Sequence, residues 1–282
     1  MRVRYPWRAA VVVVWVLAWG VAPVMAQQVE ERASVTLAPP QMEEFLLRAK
    51  IVSTRGVSTG TTNTRRATLS NGVLTHDAQI QTIDRIWAKF EAPNGPPEFN
   101  FIDSYRFNIG AYQLSLLLGL DNVPMSVERS YQGRHAALTW WIDDVMMDDG
   151  TRVKKQVRSP DTERTAMQIH VMRVFDELIA NRDRNLGNVL WTSDWKLWMI
   201  DHTRSFRLDD RPRKPELLER VERSLFERLR ALTRESVTTA VGKSLTRYEV
   251  DAVMKRRDAI VKLFEAKIAE RGDAAVVYVT RP

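Results

Sequence analysis

Three residues in the run FDELIANRDRNLGNVLWTSDWKLWMIDHTRSFR (175–207) have the types and spacing for metal-assisted phosphoryl transfer. Asp183 and Asn188 stand five residues apart in a polar loop that directly follows an apolar helical run. Asp201 closes a short apolar, strand-like run. Chemistry of this kind needs one carboxylate to orient an acceptor hydroxyl and take its proton. It also needs an amide oxygen and a second carboxylate to hold cations that bridge nucleotide phosphates. Taken singly, a loop aspartate is a turn former and a loop asparagine a cap. The pattern alone leaves both readings open. What singles the stretch out is the combination N-x-D-R-x-x-x-N followed by two apolar residues and an aspartate.

Such residues need elements on both sides to bring them together. Upstream, FLLRAKIV (45–52), RRATL (65–69) and VLTHDAQIQTI (73–83) read as strands. The last two are joined by a Ser-Asn-Gly turn, because Asn-Gly tolerates the positive φ of a tight hairpin. A helix is expected over 104–118, with Ile109, Tyr112, Leu116 and Leu120 near one face and Gly119 as its stop. VPMSVER (123–129) and HAALTWWID (135–143) read as two more strands around a Gln132-Gly133 turn. Downstream, SPDTERTAMQIHVMRVFDELIAN (159–181) is helical, with Ser159 as N-cap and Pro160 at the first helical position. PELLERVERSLFERLRAL (215–232) reads as a second amphipathic helix. Thr246 to Glu249 forms a capping box that opens a third helix, which Gly272 ends. The expected organisation is a strand-rich lobe over 44–150, a helical lobe over 151–282 and a cleft between them.

Composition narrows the class. The chain has 282 residues, 44% hydrophobic and 27% charged, enough to bury a sizeable core. Its formal charge is +7, but Arg2, Arg4 and Arg8 contribute three of the positives and acids interleave with bases elsewhere. That distribution argues against a nucleic-acid binder, and a monomer is expected. There is no cysteine, which removes disulfides, thiolate-ligated zinc and thiol catalysis. The basic start, the apolar run over 9–22 and Val24-Met25-Ala26 match a secretory signal cleaved after Ala26. The apolar run is short for a membrane span of about 20 residues, although an uncleaved anchor is the alternative. Residues 27–43 then form a flexible leader, and the mature protein is expected to be periplasmic or secreted. His76, His135, His170 and His202 are too scattered for a histidine metal site, and Trp140-Trp141 falls where core packing accounts for both rings.

The segment NRDRNLGN…LWMIDHTRSF resembles the catalytic and metal-binding segments of the atypical protein-kinase-like superfamily. Its members include the phosphatidylinositol 3- and 4-kinases, bacterial HipA-type kinases and the secretory-pathway casein kinases. The likeness is specific over 181–206 and extends in lobe order over 44–207. It implies an α+β, two-lobed kinase-like fold. It also implies that Asp183 is the catalytic base, that Asn188 and Asp201 are metal ligands, and that Mg²⁺ or Mn²⁺ works with ATP as co-substrate. Arg184 resembles the family's basic loop neighbour and takes no assigned role.

The resemblance breaks at the nucleotide's other contacts. Where the family carries a phosphate-gripping strand lysine this chain has Gln81, and Asn108 stands where its helix glutamate would be. Lys89 and Lys50 are replacement candidates, against the plainer reading of strand lysines reaching solvent. The loop between Gly56 and Gly60 is a weak candidate phosphate cradle. The expected function is transfer of the γ-phosphoryl of ATP to a hydroxyl of a protein, glycan or lipid. An inactive pseudokinase serving as a binding module and transfer of AMP are the alternatives.

Overall fold

The structure, a computed structural model, describes residues 37–57, 64–91 and 97–280. The expected export signal, its cleavage point and Gly60 lie outside these residues. The chain opens with α1 (Pro39–Arg48) and runs into β1 (Lys50–Gly56), β2 (Arg65–Ser70) and β3 (Thr75–Gln81). A ribbon of β4 (Asp84–Phe90) and β5 (Glu98–Ser104) leads into α2 (Arg106–Leu117), followed by β6 (Ser126–Tyr131) and β7 (Arg134–Trp140). Strands β1, β2, β3, β7 and β6, in that order, form an antiparallel sheet, with Gln81 opposite Ala137. The β4–β5 ribbon stands apart from it as its own two-stranded sheet.

The second half begins with β8 (Val145–Asp148), α3 (Asp149–Lys154) and α4 (Thr162–Leu178). Strands β9 (Val189–Thr192) and β10 (Leu197–Met199) pair beside β8. Then come β11 (Val221–Glu222), α5 (Arg223–Ala231), α6 (Arg234–Val241), α7 (Arg247–Arg271), α8 (Asp273–Val276) and β12 (Val277–Tyr278).

Helix α2 joins the two halves. Phe107, Ala111, Leu114 and Leu118 enter a core shared with Phe175, Trp191, Phe206, Val253 and Phe264. Tyr105 and Ile109, from its other side, pack on Ala137 of the sheet. Leu116, expected on the inner face, is instead 53% exposed. The helix ends at Gly119, whose φ of +66° is open to glycine at little cost. A helix buried on both sides holds its polar residues in fixed positions, and Asn108 is one of them.

Three local expectations are corrected. Residues 45–48 are the end of α1 rather than a strand: two prolines open this helix, and Phe45 and Leu46 pack under the sheet. The 159–181 helix starts later, with Asp161 as the cap accepting from the Arg164 amide at 2.8 Å. The run 215–232 is broken. Val221 and Glu222 pair in parallel with Val277 and Tyr278, and only then does α5 start, capped by Glu222. A long-range strand pair has overridden helical periodicity there. The capping box at Thr246 and Glu249 and the stop at Gly272 are where the sequence puts them.

Candidate active site

The loop after α4 is held by Arg184. Its guanidinium donates to Asp176 on α4 at 2.9 Å, to the carbonyls of Asn188 and Ile200 at 2.7 Å each, and to His202 Nε2 at 3.0 Å. One side chain therefore ties the helix end, the loop and the segment carrying Asp201. His202 is fully buried and accepts from Arg184. Burial, with the adjacent guanidinium, holds its imidazole well below the usual histidine range, so it is neutral.

Within this frame the loop and the Asp201 segment meet. Ile200 donates its amide to the Asn188 carbonyl at 3.1 Å. The Asn188 amide nitrogen donates to the Asp183 carbonyl at 2.9 Å, which leaves its Oδ1 as the atom to offer a ligand. Asp183 is partly exposed, with Arg204 at 3.7 Å from its carboxylate. Asp201 adopts φ +54°, a left-handed conformation that costs a non-glycine residue and occurs where surrounding structure imposes it. Thr203 donates to its Oδ1 at 3.1 Å. Burial pushes the Asp201 carboxyl above the usual range, and the nearby charges of Asp183 and Asp103 push the same way.

Asp103, at the end of β5, escaped the reading of the sequence. It is 5% exposed, its Oδ1 has no hydrogen-bond partner, and burial raises its carboxyl too, against Thr203, Arg204 and Arg85. The available signal was an acid just before the predicted helix; its burial comes from the ribbon, which no motif announces. Among the described residues no three acidic or histidine side chains come close enough to hold a cation by themselves.

Above this cluster, Asn108 Nδ2 donates to Gln81 Oε1 at 2.8 Å. Asn108 Oδ1 in turn accepts the His202 amide at 2.7 Å. The strand, helix α2 and the Asp201 segment are thus tied by one buried neutral amide. Lys89 is not brought to this point: it lies on β4, 49% exposed, with its ammonium 2.6 Å from Glu91. Lys50 is exposed at the start of the edge strand β1, opposite Ser70. Gly56 ends β1 at the described edge of the β1–β2 connection.

No protein-family model matches this sequence, and no curated protein does. Solved structures do match. The structure of hydra Fam20 with sugar is similar with a TM-score of 0.64 at 14% identity, covering 89% of this chain and 96% of that one. The chain has an α+β, two-lobed kinase-like fold. The Helicobacter pylori proinflammatory kinase CtkA is similar with a TM-score of 0.47 at 10% identity, covering 77% of this chain and 96% of that one. In terms of that fold, β1, β2, β3, β7 and β6 are the small-lobe sheet, and α2 is the helix packed on it. The β4–β5 ribbon is inserted between β3 and that helix.

Proposed function

We propose that this protein is an exported phosphotransferase that moves the γ-phosphoryl of ATP to a hydroxyl. The observation that carries the reading is the meeting of the Asp183–Asn188 loop with a half-buried, strained Asp201 beneath α2. Asp183 is the partly exposed carboxylate of the cluster and is placed to accept the acceptor's proton. As the acceptor oxygen forms its bond to the γ-phosphorus, the bond to the β,γ-bridging oxygen breaks and ADP leaves with that electron pair.

The hard oxygens of Asn188 and Asp201, joined by the unpartnered Oδ1 of Asp103, fit Mg²⁺ or Mn²⁺. Mg²⁺ commonly takes only one or two protein carboxylates and completes its shell with phosphates and water, which agrees with the absence of a closed protein cage among the described residues. The cation would neutralise charge on the phosphates. Arg184 and His202 touch none of the reacting atoms and act by positioning.

The sugar in the hydra Fam20 structure makes a glycan hydroxyl the first acceptor class to try, ahead of protein and lipid hydroxyls. Export rests on the N-terminal sequence alone. A second reading, a pseudokinase that binds without turnover, is favoured by the neutral Gln81–Asn108 pair where a charged one normally grips phosphate.

Thermal unfolding with ATP and Mg²⁺ or Mn²⁺ tests the proposal. Ligand at a hundred times its dissociation constant stabilises by about 2.7 kcal/mol. The expected result is a metal-dependent shift lost in Asp201→Ala and kept in Asp183→Asn, with phosphoryl transfer lost in both. No shift with any nucleotide would sink the enzyme reading.

A further inference from the structure

Beside the catalytic loop lies a cavity of about 600 Å³ that none of the expected site residues lines. Its walls come from β5, from the residue preceding Asp183 and from the segment after Asp201: Glu98 and Phe99, Arg182, and Arg207, Asp209 and Arg213. The strand that supplies Glu98 and Phe99 ends in Asp103 at the cation cluster, so cavity and site share one element. They are also joined electrostatically. Arg204 reaches Glu98 at 2.7 Å with one nitrogen and Asp183 at 3.7 Å with the other.

The charges of the cavity do not balance. Glu98 is held by both Arg204 and Arg207, and Asp209 by Arg182. Arg213 is exposed, and among the described residues its guanidinium has no acidic partner, since Glu177 takes only its backbone amide. Among the lining residues two carboxylates thus face three guanidiniums, and Arg204 adds a fourth positive charge behind Glu98 that it shares with Asp183. Arg207 is 6% exposed and its Nε has no hydrogen-bond partner. Its neighbour Arg256, wholly buried, fixes the floor by donating to the carbonyls of Leu178 and Arg207 at 2.8 and 2.7 Å. One wall is apolar, with Phe99 66% exposed.

We infer that this cavity is a subsite for a small hydroxyl-bearing acceptor that carries a phosphate or carboxylate, with Arg213 as the residue that takes the anionic group. Guanidinium is the side chain best matched to such groups, through paired parallel hydrogen bonds. A concave cavity of this volume suits a small molecule, where a folded protein partner needs a broad face. The acceptor role rests on the phosphotransferase reading; the anion site itself does not.

The test uses the full chain and isothermal titration with glucose 6-phosphate, glucuronate and glucose. One or both anionic sugars bind the wild type and neutral glucose does not. Arg213→Glu, an exposed change that leaves the core untouched, raises the dissociation constant about tenfold or more, as expected for one charge-assisted hydrogen bond. Arg213→Lys, which keeps the charge but not the fork, loses part of the affinity but less than Arg213→Glu, and Asp201→Asn keeps all of it. Which of the two anions binds separates phosphate from carboxylate. Equal binding by wild type and Arg213→Glu, binding of glucose as tight as its acids, or response only to an acidic peptide would each overturn the subsite. Anion binding that survives while ATP and metal fail to stabilise the protein would overturn the phosphotransferase reading alone.

Discussion

Asn108 on α2 donates to Gln81 on β3 across 2.8 Å, and both side chains are buried. On the phosphotransferase reading proposed above, this neutral pair stands in for the strand lysine and helix glutamate that a kinase joins by charge. Gln81→Lys alone would bury an unpaired ammonium, and Asn108→Glu alone an unpaired carboxylate. Each is expected to destabilise by about 3 kcal/mol. The double variant should recover at least half of the summed loss, and should bind ATP more tightly than wild type. Denaturant unfolding of the four proteins reads the coupling directly. Simple additivity would show that the two side chains do not act as a pair.

That Gln81 lies on a strand and Asn108 on the helix after it was legible in the sequence, because both elements could be placed by periodicity and turn chemistry. The meeting of the segments that carry Asp183, Asn188 and Asp201 was legible too, since all three lie within one short stretch. Asp103 was not, because its burial depends on the β4–β5 ribbon, a two-stranded insertion with no strong turn signal in its paired residues. The contacts of Arg184 and the place of Arg213 at the cavity were equally hidden. A guanidinium that spans a helix end, a loop and a strand looks, in sequence, like any other arginine in a basic chain. The break of 215–232 by β11 depended on a partner more than fifty residues away.

Arg184 makes contacts to Asp176, Asn188, Ile200 and His202 that no other side chain can reproduce together. Arg184→Ala leaves two carbonyls and a half-buried carboxylate short of a donor. The expected loss is about 3 kcal/mol or more, measured by chemical denaturation. Arg184→Lys should rescue little of it, because an ammonium cannot span this fork. Full rescue by lysine would reduce the residue to a point charge.

His202 sets an acid limit on the fold. Its pKa in the folded protein lies well below the ordinary value of 6.5, so in the window between them the unfolded chain binds the extra proton. Stability is therefore complete above about pH 6.5 and falls as pH drops through that window, by up to about 1.4 kcal/mol per pH unit. His170, also lowered by burial, acts in the same direction. His202→Gln keeps an acceptor for Arg184 and removes the titration. Its melting temperature should fall less steeply between pH 7 and pH 5 than that of wild type, and an unchanged slope would assign the acid limit elsewhere.

Asp201 acts with the opposite sign. Its folded pKa is raised above the ordinary 3.8 by burial, so the folded state binds more protons than the unfolded one just above that value. The stability it contributes is then lost as pH rises through the folded pKa, and its ionised form is a burden at neutral pH. Asp201→Asn keeps an oxygen for the Thr203 hydroxyl and removes the charge. The variant should be more stable than wild type at pH 7 by about 1 kcal/mol, with the difference disappearing below about pH 4. It should also lose the stabilisation by ATP with divalent cation. A gain in stability with a loss of ligand response is what a residue kept for binding, at a cost to the fold, would show. If Asp201→Asn were less stable at pH 7, the carboxylate would be structural, and the cation would have to be held by Asp103 and Asn188 without it.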